Sequence, residues 1–297
     1  MTTILITGGT GLVGQSLQQK LIDKNYSVRV LSRNPTNPTE FYWNIDNNEI
    51  DEKGLLDVAY IIHLAGTGIA DKRWSLKRKQ EIIDSRTKST KLLLHKINQL
   101  KIPLKGFIAA SAIGYYGAIT SENIFKESDA PAADFLGNVC QQWEQASLAF
   151  KKQHIPTTIL RTGIVLSKNG GALSKMNTPI AIAPIASGKQ YIPWIHIEDL
   201  TNLYIKAIED KLFTGIYNAA APETQTSFSF AKILATKTKK IFIPFGVPTF
   251  VLKILFGKMS LLLTKGSRVS SEKTKKAGFN FSYKNLSKAL EDSIQKS

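Results

Sequence analysis

The sequence predicts an α/β protein built on a doubly wound parallel sheet, and three observations carry that expectation. Apolar runs of strand length alternate with amphipathic stretches of helix length along most of the chain. The first such run, ILIT at 4–7, leads straight into the glycine-rich GGTGLVG. The one clear change of texture comes late, from about Phe242. Alternating strands and helices need crossover connections, which are right-handed and place helices over the faces of a parallel sheet.

Taken in order, ILIT is followed by an amphipathic stretch to about Asn25, and VRVL (28–31) reads as a second strand. YIIHLAG (60–66) is a third apolar run ending in glycine. A helical pattern covers about Arg73 to Leu100, with Leu76, Ile83, Leu94 and Ile97 on or near one face. GFIAAS (106–111) and TTILRTGIVL (157–166) are further strands, separated by a helix containing Trp143, Ala146 and Phe150. In the segment FIPFGVPTFVLKILFGKMSLLL, Pro244, Pro248, Lys253 and Lys258 leave no uncharged run long enough to span a bilayer. A buried or amphipathic helix of a small C-terminal domain is expected there, and KNLSKALEDSI (284–294) reads as a closing amphipathic helix. There are no internal repeats and no low-complexity segments.

The 297 residues, 43% hydrophobic and 21% charged, suit an ordinary globular chain without compositional disorder. Cys140 is the single cysteine, which excludes an internal disulfide and a cysteine-based metal site and fits a reducing cytoplasm. His63, His95 and His154 have no neighbours at metal-ligand spacing, so no metal is expected. MTTILITGGTG has neither the basic nor the apolar region of a signal peptide. The net charge of +16 fits a solvated basic surface or attraction to anionic ligands. Its lysines are scattered and no nucleic-acid motif accompanies them, so nucleic acid is not the expected partner.

TGGTGLVG (7–14) ends a strand and opens a helix, the context in which such a loop cradles a pyrophosphate. Gly8 and Gly11 allow the tight turn and close backbone approach, and Gly14 lets helix and strand pack together. Thr10, Leu12 and Val13 complete the loop, whose N–H groups face the phosphates at the positive end of the helix. At the end of the second strand, where an acidic residue would bind the ribose hydroxyls of NAD, stand Ser32 and Arg33. An arginine suits a 2′-phosphate, so NADP(H) is the expected cofactor.

With TGGTGLVG, SR after the second strand, HLAG (63–66) and SAIGYYG (111–117), the chain resembles the extended short-chain dehydrogenase/reductases. GTGIADKRWSLKRKQEIIDSR (66–86), DFLGNVCQQWE (134–144), RTGIVLSKNGGAL (161–173) and PWIHIEDL (193–200) resemble, more narrowly, their atypical "epimerase family" branch. The segment from Ile241 onward, including RVSSEKTKKAGFNFSY, resembles that branch's own C-terminal domain. The resemblance covers essentially the whole chain. It implies a Rossmann-type NADP-binding domain over 1–165, with 190–220 returning to it, and a small, mainly helical substrate-side domain over 166–189 and 221–297. It also implies cofactor contacts at Ser32 and Arg33, at Leu64, Ala65 and Gly66, at Glu81 and Arg86, and at Val165. Glu81 and Arg86, five residues apart, do not form a helical ion pair; they are either ligand contacts or surface charges. Val165 either touches the cofactor or packs in a strand.

The resemblance also implies a catalytic tyrosine with a lysine four residues on. A phenol titrates near pH 10, so it needs a nearby cation to act as a base at neutral pH. In ADFLGNVCQQWE the matching positions are Phe135 and Val139, which cannot exchange a proton. None of the nine tyrosines is followed by lysine at the fourth position. In SAIGYYG, Ser111 resembles the superfamily's serine or threonine that hydrogen-bonds a substrate oxygen, and Tyr115 or Tyr116 either supplies a hydroxyl to the substrate or forms a pocket wall. His196 and Asp199 read as structural residues at a helix start, Trp194 as packing or a cleft wall, and Arg161 as an anion contact or an ion-pair partner. The expected function is an NADP(H)-dependent oxidoreductase or epimerase acting on an unidentified small molecule. A non-catalytic NADP-binding protein is the alternative.

Overall fold

The computed structural model describes residues 1–294. Its centre is an eight-stranded sheet of β1 (Thr3–Thr7), β2 (Ser27–Ser32), β3 (Glu40–Asn44), β4 (Glu49–Ile50), β5 (Val58–His63), β6 (Gly106–Ala112), β7 (Thr157–Thr162) and β8 (Gly215–Ala219). The order across it is β8-β7-β6-β5-β1-β2-β3-β4, parallel throughout except for the β3–β4 pair. The order reverses beside β1, between the chain's first excursion and its second, and this is where open α/β sheets bind ligands. The expected doubly wound architecture is therefore the one observed.

Four long helices cover the faces: α1 (Leu12–Asp23), α2 (Leu76–Gln99), α3 (Phe135–Lys151) and α4 (Ile197–Glu209). Strand side chains alternate, so Ile4 and Ile6 meet α1 and α4 in one core. Leu5 meets the other, with Leu93 and Ile97 of α2 and Phe150 of α3. Both faces are buried, which is why the strands read as continuous apolar runs. A third core gathers Leu166, Ile182, Trp194, Phe230, Leu234 and Leu290 from the segments after β7 and the C-terminal helix Leu286–Ser293.

Two local readings change. TTILRTGIVL is not one strand: β7 ends at Thr162, and Ile164–Leu166 pairs with Trp194–His196 outside the main sheet. The pivot is Gly163, whose Cβ would lie 2.8 Å from the Pro193 carbonyl oxygen. Helix α2 starts at Leu76, after Ser75 accepts a hydrogen bond from the Arg78 amide, and Leu76 itself is exposed. The buried stripe runs instead through Arg78, Ile82, Arg86, Ser89, Leu93 and Ile97. Half of it is polar because its upper part borders the loop after β5.

The late apolar segment forms the helix Thr249–Phe256, a 3-10 turn at Gly257–Ser260 and a last helical turn at Leu261–Thr264. No helix among the described residues is long and apolar enough to cross a membrane.

Candidate functional site

The carboxyl ends of β1, β2 and β5 converge on the glycine loop. Gly8 has φ +71°, and a Cβ there would lie 2.9 Å from the Leu64 carbonyl carbon, so β1 and β5 exit in backbone contact. A side chain at Gly14 would collide with the Gly8 carbonyl and sit 2.6 Å from Gly9 Cα. Helix α1 begins at Leu12 with Gly11 as N-cap, and no side chain caps it. Its first N–H groups and its dipole are therefore left for an anion. Thr10 and Gly11 are exposed at the turn, while Leu12 and Val13 are half-buried. A Cβ at Gly171 would lie 3.0 Å from Leu12 Cδ2 and 3.8 Å from the Val165 carbonyl, so the Ile164–Leu166 strand and the loop after it approach the glycine loop.

Around this cradle the other predicted contacts divide. Leu64 N donates to the Thr7 carbonyl at 3.1 Å, and Ala65 N donates to Thr7 Oγ1 at 3.2 Å. His63, fully buried, is hydrogen-bonded to Thr7 Oγ1 (2.7 Å) through Nδ1 and to Ser89 Oγ (3.1 Å) through Nε2. The loop after β5 is thus fastened to both β1 and α2. Gly66 is exposed, with the Arg86 guanidinium directly beneath it. Arg86 Nη1 donates to the Thr67 and Ile82 carbonyls, both at 3.0 Å, and its guanidinium lies 4.9 Å from the Trp143 ring. Burial lowers its pKa to about 10. Glu81 sits on the exposed side of α2, paired with Arg78 at 3.2 Å. At the end of β2, Ser32 Oγ accepts from Asn34 N. Arg33 is exposed and makes no ion pair or hydrogen bond among the described residues. The residues present fit a dinucleotide: a side-chain-free cradle, an uncapped helix start and an unpartnered cation lie along one edge.

The position of the absent tyrosine–lysine pair is filled apolarly. Asp134 caps α3 by accepting from Gly137 N, Phe135 packs edge-on against Trp74 at 4.8 Å under Lys79 Nζ, and Val139 is buried. The next residue, Cys140, is also buried, and burial pushes its thiol up to about 12. Burial and a raised thiol pKa both disfavour the reactive thiolate.

Behind this wall runs a buried polar network that the sequence did not reveal. Ser111, Arg161 and Asn218 stand abreast in β6, β7 and β8. Ser111 Oγ donates to Glu144 Oε1 at 2.7 Å, and Arg161 grips Glu144 with Nε and Nη2, both at 2.8 Å. Arg161 Nη1 donates to the Tyr116 hydroxyl at 3.0 Å, which donates to Asn218 Oδ1 at 2.7 Å. Burial opposes the charge on Arg161, but the Glu144 carboxylate holds its pKa above the usual arginine range. Burial raises Tyr116 to about 12 despite the nearby guanidinium. Ser111 and Tyr116 are therefore engaged inside the protein. Tyr115 is half-buried, its ring stacked 3.4 Å from the Arg161 guanidinium, and its hydroxyl has no partner among the described residues.

Glu127 accepts from the Asn218 amide, and of the remaining candidates Trp194 lies fully buried in the third core. His196 caps α4 and stands 3.1 Å from the Asp292 carboxylate. Asp199 does not cap its own helix. Its two carboxylate oxygens accept from Ser282 N and Tyr283 N, tying the C-terminal segment to α4.

Comparison with known proteins agrees with this geometry. Residues 4–220 match the NAD dependent epimerase/dehydratase family, and 247–293 match a domain of unknown function, DUF1731. The mouse epimerase family protein SDR39U1 is 32% identical over 98% of this chain and 99% of its own length. The Bacillus subtilis epimerase family protein YfhF is 34% identical over 98% and 97%. The crystal structure of human SDR39U1 (isoform 2) with NADPH superposes with a TM-score of 0.87 at 29% identity, covering 98% of this chain and 99% of that one. A glycine cradle at the sheet's switch point and a match across nearly the full chain lead to one assignment: the protein belongs to the NAD dependent epimerase/dehydratase family, in the epimerase-family group that carries a C-terminal DUF1731 domain.

Proposed function

We propose that the protein binds NADP(H) in preference to NAD(H) and acts as an oxidoreductase or epimerase on a carbonyl or nucleotide-sugar substrate. The observation that carries the cofactor choice is Arg33. It stands exposed and unpartnered at the end of β2, beside the glycine cradle, where a 2′-phosphate would accept charge-assisted hydrogen bonds. The human relative's structure with NADPH supports the same choice. Bound cofactor supplies or accepts hydride. This chain's residues then position the dinucleotide, exclude water and handle the substrate proton.

For the proton, the reading selects Tyr115 over its two neighbours. Ser111 donates to Glu144 and Tyr116 donates to Asn218, whereas the Tyr115 hydroxyl is uncommitted. A small-molecule substrate in a reducing, cytoplasmic setting is part of the proposal. The second reading, a non-catalytic NADP-binding protein, is favoured by Phe135 and Val139, which close the usual relay position with hydrocarbon.

Turnover separates the two. With NADPH and a panel of carbonyl compounds and nucleotide sugars, the first reading predicts substrate-dependent oxidation of the cofactor or epimerisation of the sugar. Tyr115→Phe should lower kcat about a hundredfold, in line with the loss of a positioned proton donor. NADPH binding without turnover on any member of the panel would leave the second reading standing.

A further inference from the structure

The sharpest feature outside the cofactor cleft is an exposed apolar face on the C-terminal segment. Ile241, Ile243, Phe245 and Val247 are all exposed, Phe245 by 80%, along a stretch that bends at Pro244–Phe245. The stretch is held from behind: Ile241–Phe242 pairs with Ala181–Ile182, Val247 bridges to Ile185, and Phe242 packs on Phe228. The helix Thr249–Phe256 follows directly in the chain. Leu252 points inward, while Phe250 (65%) and Ile254 (69%) point to solvent with Lys253 between them. Large apolar side chains left exposed together in one segment mark an interaction site.

Charge identifies the occupant. Between Glu223 and Glu272 there is no acidic residue, while seven lysines and Arg268 fall in the interval. Lys239, Lys253, Lys258 and Lys265 are exposed and form no ion pair among the described residues. Two copies pressed together through this face would bring like charges against each other. Nucleic acid would satisfy the lysines but not the aliphatic Ile241, Ile243, Val247 and Ile254. An anionic lipid surface satisfies both, with the lysines on headgroups and the apolar side chains at the acyl boundary.

We propose that residues 239–265 form a peripheral docking surface for anionic phospholipid bilayers, seated by Phe245, Phe250 and Ile254 and held by the surrounding lysines. The helix lies on the bilayer and does not cross it. The face is also coupled to the cleft, because Arg73, in the loop that follows HLAG, donates through Nε (2.9 Å) and Nη2 to the Leu255 carbonyl at the end of this helix.

The test is co-sedimentation of the full chain with vesicles of phosphatidylcholine alone and of phosphatidylcholine mixed with phosphatidylglycerol, at low and high salt. The expected result is binding to the mixed vesicles only, weakened by salt. Lys253→Gln/Lys258→Gln should lower the partition coefficient by about twenty-five-fold, at about fivefold per lysine. Phe245→Ser/Phe250→Ser should lower it at least about tenfold. The four side chains are exposed, and unchanged thermal melts would show that the variants fold. Equal binding to neutral and anionic vesicles, or binding indifferent to the phenylalanine pair, would overturn the proposal. So would an absence of vesicle binding at low salt together with a dimer, seen by light scattering, that the phenylalanine variant dissolves. That result would make a second copy the occupant.

Discussion

The imidazole of His63 is fully buried between Thr7 and Ser89, and burial lowers its pKa to about 3. The unfolded chain, with a histidine near 6.5, takes up a proton that the fold refuses. Stability from this group is therefore present above about pH 6.5 and lost as the pH falls toward 3. Between pH 7 and pH 5 the loss amounts to about 2 kcal/mol, and urea midpoints at the two values should differ accordingly. A His63 ring signal that titrates near pH 6.5 in the folded protein would contradict the assignment. The neutral ring matters because it fixes the backbone from which Leu64 and Ala65 leave β5. Legibility at this scale was uneven. Ser111 could be picked out from SAIGYYG, and Phe135 and Val139 from their spacing. Glu144, 33 residues beyond Ser111, could not be tied to it, because the two meet only through the registers of β6 and β7 and the placement of α3. Tyr116 looked available for the same reason: nothing local announces Asn218 or Arg161.

The junction of β1, the glycine loop and α1 was the most legible element, because its requirements are local and steric. The clash between a Gly14 side chain and the Gly8 carbonyl gives the corresponding prediction. Gly14→Ala forces backbone apart and should weaken NADPH binding at least about tenfold, with a loss of stability of roughly 1–3 kcal/mol from overpacking. A calorimetric titration and a thermal melt read the two effects, and unchanged affinity would show that the loop does not hold the cofactor. Helix α2 was legible as a helix but not in its facing. Leu76 turned outward and Arg86 inward because the helix meets strand backbone and the HLAG loop rather than an all-apolar partner. β3 and β8 gave no strand signal. EFYWN and GIYNA are partly exposed and lie toward the sheet's two margins, where an uninterrupted apolar run is not required. At the β8 edge, side chains take the place of a neighbouring strand: Glu127 accepts from Asn218 N, and Lys273 donates to the Ile216 carbonyl.

Across the whole molecule, the glycine cradle and the C-terminal packing belong to different cores. The two sheet faces hold the cradle, while the third core gathers Trp194, Phe230 and Leu290 around segments that leave the main sheet after β7. Asp199 on α4 fastens the two regions by accepting from the Ser282 and Tyr283 amides. The alternation of strands and helices made the first region readable. The second was visible only as a change of texture, because its short strands, Ala181–Ile182 and Tyr191–Ile192 among them, pair across long sequence separations. Cofactor choice turns on Arg33. The direct measurement is a fluorescence titration of the wild type and of Arg33→Ala with NADPH and with NADH. The wild type should bind NADPH at least about tenfold more tightly than NADH. Arg33→Ala should weaken NADPH by about tenfold or more, the worth of a charge-assisted hydrogen bond, and leave NADH nearly unchanged. NADH binding as tight as NADPH, or NADPH binding indifferent to the substitution, would contradict this role for Arg33.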